Sequence, residues 1–364
     1  MEKNNFKKMK ILVATGIYPP DIGGPATYSK LLNDELPKRG FEVKILSFGE
    51  VRNKPKIIRH FCYFLKIIKR GRDVDVIYAQ DPVSVGLPVL IATFFLRKKF
   101  LIRVAGDYAW EQSAQRFGVK DDIDLFQNKK YSFSVELLRS IQKLVVNGAD
   151  LVITPSVYFK NLVSCWCNNP QKVITIYNGI KLVSLAKEDS KENLIITAGR
   201  LVPWKGFDFL IDLMVDLPNW QLIIVGDGPD YDRLSLLIKE KKLLDRVVLK
   251  GSLPREQLLI LLSKAKLFIL NTTFESFSFQ VVEAMFAEVP VITTKVGNLA
   301  EIVEPNEEGI LVEPNNKKEF LQAIKKITED ENFRIKIITQ AKKKAEKFSI
   351  ENTVNNLVEV LQKL

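Results

Sequence analysis

The sequence predicts an α/β protein made of two doubly wound, Rossmann-like domains, and two observations carry that expectation. Short apolar, β-branched runs alternate with helical patterns along nearly the whole chain. The 364 residues also exceed a single domain, since domains run at roughly 100–200 residues each. In the first half the runs are 10–15 (KILVAT), 42–48 (EVKILSF), 75–80 (DVIYAQ), 99–106 (KFLIRVAG), 149–156 (ADLVITPS) and 172–178 (KVITIYN). The second half repeats the pattern at 193–199, 220–226, 246–251, 266–271, 289–294 and 309–314. Strand, helix, strand repetition implies parallel sheets covered on both faces. Asn178-Gly179-Ile180 ends a strand with turn chemistry, and 187–193 (KEDSKEN) has no apolar period, so a linker is expected near 180–192. The expected organisation is therefore 1–181, 182–347 and a last helix in 348–364, with Ser349 as its N-cap and the two domains facing a central cleft.

Composition excludes several classes. Three cysteines, Cys62, Cys165 and Cys167, are too few for a disulfide framework, and a reducing cytoplasm is the default expectation. A single histidine, His60, argues against HExxH zinc sites and Ser-His-Asp hydrolysis. Cys165-Trp166-Cys167 has the wrong spacing for a zinc knuckle or redox pair. The apolar run after the basic start is too short for a signal peptide. The longest apolar stretch, 83–96, falls short of the roughly 20 residues needed to span a bilayer.

The net charge of +11 is uneven: residues 1–180 hold 28 Lys and Arg against 16 Asp and Glu, so all the excess lies there. Residues 51–72 contain eight basic residues and no acidic one, interleaved with Phe61, Tyr63, Phe64, Leu65, Ile67 and Ile68. Three readings stay open for this helix candidate: an ordinary solvated face, an anionic membrane surface or phospholipid acceptor met by 52–72, and nucleic acid, which no accompanying motif supports.

Five segments carry candidate chemistry, all at strand-to-helix connections, where open α/β sheets bind ligands. Gly23-Gly24 precedes Pro25 at the predicted start of a helix, leaving backbone N–H groups for an anion or serving a tight turn. The loop Gly199-Arg200-Leu201-Val202-Pro203-Trp204-Lys205-Gly206 offers a planar fork in Arg200 and a mobile charge in Lys205, a pairing suited to a diphosphate. After the run at 266–271, Glu275 and Glu283 stand eight apart, one in a loop and one inside a helix starting near Ser278. The amides beside Phe277, Ser278 and Phe279 would hold a phosphate, with a carboxylate on each side for sugar hydroxyls. Gly226–Asp230 and Gly251–Leu253 are candidate loops for a donor base.

These residues together resemble the family 4 glycosyltransferases of the GT-B fold, from GGPATYSKLLNDEL through YNGI, GRLVPWKG, VGDGPD and ESFSFQVVEAM to GNLAEIV. The resemblance implies an enzyme of hexosyltransferase type that moves a sugar from a nucleoside-diphosphate donor to a hydroxyl acceptor with retention of configuration, and it implies no cofactor and no DXD-bound metal. Arg200 and Lys205 would neutralise the leaving diphosphate, Glu283 would contact the ribose and Glu275 the donor sugar. Gly23 and Gly24 would form the glycine loop over the phosphates, and the last helix would cross back onto the first domain. A glycan or lipid-linked acceptor at the cytoplasmic membrane face fits the basic first half. Where many relatives carry a histidine after the fourth strand, this chain has Gly106-Asp107-Tyr108, so Asp107 would take that catalytic place or act as a loop cap. Asp73-Val74-Asp75 and Asp122-Ile123-Asp124 are weak metal candidates. A nucleotide-sugar epimerase and a non-catalytic sugar-nucleotide-binding module are the competing readings.

Overall fold

The computed structural model describes residues 8–21, 23–182 and 192–364. They divide into two compact units, one running through Asn178 and taking in Glu351–Leu364, the other spanning Gly179–Ile350. The expected linker falls largely on 183–191, outside the described residues.

The first unit is a six-stranded parallel sheet in the order β2-β1-β3-β4-β5-β6. Its strands are β1 (Lys10–Thr15), β2 (Glu42–Ser47), β3 (Val76–Ala79), β4 (Lys99–Arg103), β5 (Leu151–Thr154) and β6 (Val173–Thr175). Around it stand α1 (Gly24–Glu35), α2 (Lys56–Gly71), α3 (Gly86–Leu96), α4 (Tyr108–Arg116), α5 (Ile123–Asn128), α6 (Phe133–Gly148) and α7 (Val157–Ser164). β3 is buried along its whole length, because helices cover both faces of the sheet. Asp122 and Ser156 cap α5 and α7, each accepting from a backbone N–H three residues on. The apolar stretch at 83–96 becomes α3, which at 1.5 Å per residue is about 16 Å long. Among the described residues no helix is long and apolar enough to cross a membrane.

The second unit repeats the architecture in the order β12-β11-β10-β7-β8-β9, again all parallel. In chain order its elements are β7 (Glu192–Ala198), α8 (Phe207–Leu213), β8 (Gln221–Val225), α9 (Tyr231–Glu240), β9 (Val247–Gly251), α10 (Arg255–Lys264), β10 (Ala265–Leu270), α11 (Phe279–Phe286), β11 (Val291–Thr294) and β12 (Ile310–Val312). β8 and β9 extend the sheet on one side of β7, while β10 to β12 extend it on the other. The crevice between β7 and β10 is therefore the switch point where such sheets bind ligands.

Each of the twelve apolar runs forms a strand, and nine of the strands are shorter than their runs, by one to four residues. Capping contacts explain the trimming: the Asp75 carboxylate accepts from Lys10 N at 2.8 Å and so stands outside β3. The chain passes from one unit to the other where Gly179 lies beside Ser349, whose carbonyl oxygen would stand 2.5 Å from a Cβ there. Ile180 N donates to Phe348 O at 2.8 Å, and Ile350 N donates back to Ile180 O at 3.1 Å. The last helix, Ile350–Leu361, follows directly, and from Glu351 onward the chain belongs to the first unit.

Phe268 is fully buried at the centre of β10, between β7 and β11. Phe268→Ala is expected to destabilise the second unit by about 3–5 kcal/mol through lost burial and the cavity left behind, read as a lower midpoint in urea unfolding.

Candidate active site

The second unit gathers its functional side chains at the carboxyl ends of β7 and β10. After β7 the chain passes Gly199 and Arg200, makes a short 3-10 turn at Pro203–Lys205, and enters α8 through Gly206 in a left-handed conformation, φ +54°. A Cβ at Gly206 would stand 2.3 Å from Asn271 Nδ2 and 2.7 Å from Asn271 O, so only glycine lets this turn close against the end of β10. Two further bonds fix the loops together: Thr273 N and Thr272 Oγ1 donate to Trp204 O at 2.8 and 2.9 Å. At the neighbouring strand ends, Gly199 N donates to Val225 O and Gly226 N to Gly251 O, both at 2.9 Å. Gly226, φ +142°, lies so near Gly199 that a Cβ would come within 1.9 Å of that carbonyl oxygen.

This close packing brings Lys205 and Glu275 into a salt bridge, Nζ to Oε2, with both side chains 11% exposed. The Glu275 backbone is held in turn by Asn298 N, which donates to its carbonyl at 3.2 Å. Arg200, in the same loop, is exposed and takes part in no ion pair among the described residues. Ser278 caps α11 by accepting from Val281 N at 3.4 Å, and Glu283 follows on that helix. Glu283 is buried, and Arg255 Nε donates to its Oε1 at 2.5 Å while Arg255 Nη2 donates to Lys181 O at 2.7 Å. Burial pushes the Glu283 carboxyl above its ordinary range, and Arg255 pulls against that shift.

Other predicted positions have different roles. Phe277 is buried, with the rings of Phe279 and Phe348 at 5.4 and 5.7 Å, so its side chain packs the unit instead of facing a ligand. Gly251 has φ +71° and open space where a Cβ would be. In the first unit Gly23 precedes α1 with φ +152° and no side-chain cap, and Gly24, not Pro25, is the first helical residue.

Asp107 requires a correction. It is fully buried as the N-cap of α4: Oδ1 accepts from Trp110 N at 3.0 Å and from Gln142 Nε2 at 3.0 Å, and Oδ2 accepts from Gln127 Nε2 at 2.8 Å. Both oxygens serve the fold, which is the loop-cap role and removes Asp107 from the catalytic set. Burial also raises its carboxyl above the usual range, against the opposing hydrogen bonds. The weak metal candidates are similarly used: Asp75 bonds Lys10 N, Asp122 caps α5, and Asp124 accepts from Tyr158 OH at 3.2 Å. Among the described residues no three His, Cys, Asp or Glu side chains group as metal ligands would.

Three residues escaped sequence reasoning. Arg255 opens α10 and is tied to Glu283 only through space, 28 residues along the chain. Asn271 brackets the β7 loop, donating to Asn315 Oδ1 at 2.8 Å and accepting from Asn315 N at 3.0 Å. Asn298 is fully buried beside Glu275, with neither side-chain amide atom hydrogen-bonded among the described residues. Asn298 lies in the GNLAEIV segment and Asn271 ends the 266–271 run, but nothing in their local sequence marks their contacts.

The second unit thus presents a cation, a cation–carboxylate pair and a capped helix at its switch point, the place where open α/β sheets bind ligands. The comparisons name the family. Residues 22–183 match Glycosyltransferase Family 4 and residues 184–344 match Glycosyl transferases group 1. The chain belongs to this family and is a glycosyltransferase. The uncharacterized glycosyltransferase MJ1178 of Methanocaldococcus jannaschii is 26% identical over 363 residues, covering 98% of this chain and 99% of its own. A Campylobacter jejuni protein, N-acetylgalactosamine-N,N'-diacetylbacillosaminyl-diphospho-undecaprenol 4-alpha-N-acetylgalactosaminyltransferase, is 30% identical over 229 residues, 60% of this chain and 62% of its own. Among solved structures, sucrose-phosphate synthase of Thermosynechococcus elongatus superposes with a TM-score of 0.80 at 19% identity, over 98% of this chain and 99% of that one. Anabaena HepE in complex with UDP and glucose superposes at 0.79 with 21% identity, over 98% and 100%. Both share the two-domain GT-B fold.

The cap role of Asp107 is separable from chemistry. Asp107→Ala is expected to lower stability by about 1–3 kcal/mol, from a lost cap and orphaned Gln127 and Gln142 amides, while nucleotide-sugar affinity stays unchanged in isothermal titration of the folded fraction.

Proposed function

We propose that the protein is a retaining, metal-independent glycosyltransferase that moves a sugar from a nucleoside-diphosphate donor to a hydroxyl on a glycan or lipid-linked acceptor, in cell-surface glycan or glycolipid synthesis at the cytoplasmic membrane face. The observation that carries this reading is the Lys205–Glu275 pair beside the unpaired Arg200 at the β7/β10 switch point. Departure of a nucleoside diphosphate builds negative charge on phosphate oxygens. Cations already in place stabilise that charge more in the transition state than in the ground state. Arg200 and Lys205 take this role, the first amides of α11 supply further N–H donors, and Glu275 accepts from hydroxyls of the donor sugar.

Glu283, held by Arg255, is the acceptor for the ribose hydroxyls. No strong nucleophile is evident in the sequence of these loops. The acceptor hydroxyl therefore attacks on the face from which the diphosphate leaves, and a phosphate oxygen takes its proton. The UDP and UDP–glucose complexes of the structural neighbour support a nucleotide-sugar donor. The diphospho-undecaprenol in the name of the Campylobacter relative supports a lipid-linked acceptor. The basic segment 52–72 supports contact with an anionic membrane surface.

Arg200 and Lys205 separate chemistry from folding. Arg200→Ala is expected to lower turnover at least about tenfold, or 1.4 kcal/mol, with an unchanged melting temperature, because the side chain is exposed and unpaired. Lys205→Ala is expected to lower both turnover and stability, since it strands the Glu275 charge in a partly buried place. A thermal-shift screen against UDP-, GDP-, ADP- and dTDP-sugars checks the donor: one base should raise the melting temperature, and Arg200→Ala should abolish that shift. No shift with any donor overturns the reading, as does turnover lost in EDTA and restored by a divalent ion.

Arg255→Gln gives a pH test. Without Arg255, burial alone acts on Glu283 and its carboxyl rises further. Donor affinity in the variant is then expected to fall off at a higher pH than in the wild type as the solution is acidified, read by titration calorimetry across pH.

A further inference from the structure

The apolar stretch at 83–96 is used by nothing above, and its helix has an uncommon surface. α3, GLPVLIATFFL, carries no charged side chain. Its outward positions are Ile91, Phe94 and Phe95, with Phe94 81% and Phe95 66% exposed. α2 packs alongside: the Phe64 ring lies 6.4 Å from that of Phe95, and a Cβ on Gly71 would come within 2.8 Å of Leu96. The two helices therefore end side by side.

On α2 the exposed positions recur three and four residues apart, as Ile58, Phe61, Leu65, Lys69 and Arg72. The first three are apolar, Phe61 being 60% exposed, and the last two are cations. A surface helix ordinarily turns its apolar stripe to the core and its charges to water. Here α2 and α3 turn large apolar side chains outward instead.

The basic residues sort into two groups. Lys66 and Arg70 clamp Glu50 at 2.7 and 2.8 Å, and Arg52 pairs with Asp21 at 2.7 Å, so these three serve the fold. Lys69 and Arg72 at the end of α2, and Arg97 and Lys98 just past α3, are in no ion pair among the described residues. No Asp or Glu occurs in 51–72 or 82–99.

We propose that α2 and α3 form a docking platform for an anionic lipid bilayer, with Phe61, Phe94 and Phe95 inserted below the headgroups and Lys69, Arg72, Arg97 and Lys98 set against lipid phosphates. Charge complementarity selects this occupant: an apolar ridge edged by cations, with no carboxylate on either helix, matches a surface that is apolar beneath and anionic at its headgroups. At about 16 Å, α3 lies in the interface and does not span. The inference rests on the membrane-side acceptor proposed above. Its test uses neither donor nor acceptor, so the two fail separately.

The experiment is flotation of the whole protein with phosphatidylcholine vesicles, with and without phosphatidylglycerol, at low and high salt. The wild type is expected to float only with the anionic vesicles. Phe94→Ser with Phe95→Ser should lower partitioning at least about tenfold at both salt concentrations, because two aromatic rings no longer leave water. Lys69→Gln with Arg72→Gln should lower it by a similar factor at low salt and by less at high salt. Lys66→Gln, whose charge is committed to Glu50, should float as the wild type does. All these side chains are partly or fully exposed, and unchanged melting temperatures verify that the variants fold. The inference is overturned if the wild type ignores anionic vesicles, or if the double phenylalanine variant floats normally. It is also overturned if that variant converts a dimer to a monomer without changing flotation, which would make the platform a self-association face.

Discussion

The second unit depends on how closely the backbone after β7 lies against the ends of β8 and β10. Gly206 can approach Asn271, and Gly226 can approach Gly199, only because neither carries a side chain. Closing those gaps places Trp204 O where Thr272 and Thr273 reach it, and the 3-10 turn then delivers Lys205 to Glu275. Gly297 works in the same way from the other side, since a Cβ there would stand 2.1 Å from Glu275 O. The charged pair is thus positioned by backbone packing on both of its loops, and little reorganisation remains for the moment of reaction.

Electrostatic economy follows from that geometry. Each buried carboxylate at the switch point has its own cation, Lys205 for Glu275 and Arg255 for Glu283. At Glu283 burial favours the neutral acid, and Arg255 acts against that shift. Arg200 is the charge left over, exposed at the mouth of the same loop. In the proposed reaction, the donor's diphosphate would meet a cation whose attraction is not already spent on a carboxylate of the described residues.

The first unit solves a different problem with the same sheet. Its β4–α4 loop buries Asp107 as a cap saturated by three donors, a structural use of a carboxylate at a strand end that could equally have served chemistry. Two of its helices, α2 and α3, bury Tyr63, Ile67, Val89 and Ala92 yet also expose Phe61, Phe94 and Phe95. Charge along 51–72 was visible in the sequence, but whether a given lysine faces Glu50 or solvent depends on which side of α2 meets the 48–51 turn. Lys66 and Lys69 are three residues apart and have opposite fates for that reason.

The sequence by itself determined the twelve strands, their grouping into two doubly wound sheets, the loops that hold Arg200, Lys205 and Glu275, and the helix that carries Glu283. These are consequences of local hydrophobic period and of glycine and charge at strand ends, which adjacent residues encode. Tertiary structure alone decided the partners. Glu283 finds Arg255 and Glu275 finds Lys205 across 28 and 70 residues of chain, and Asp107 loses its oxygens to Gln127 and Gln142 on helices that follow it. The same holds for Phe94 and Phe95, whose apolar character is plain in the sequence while their exposure is not. Burial is a property of what a finished fold packs against a side chain, and no window of local sequence contains that.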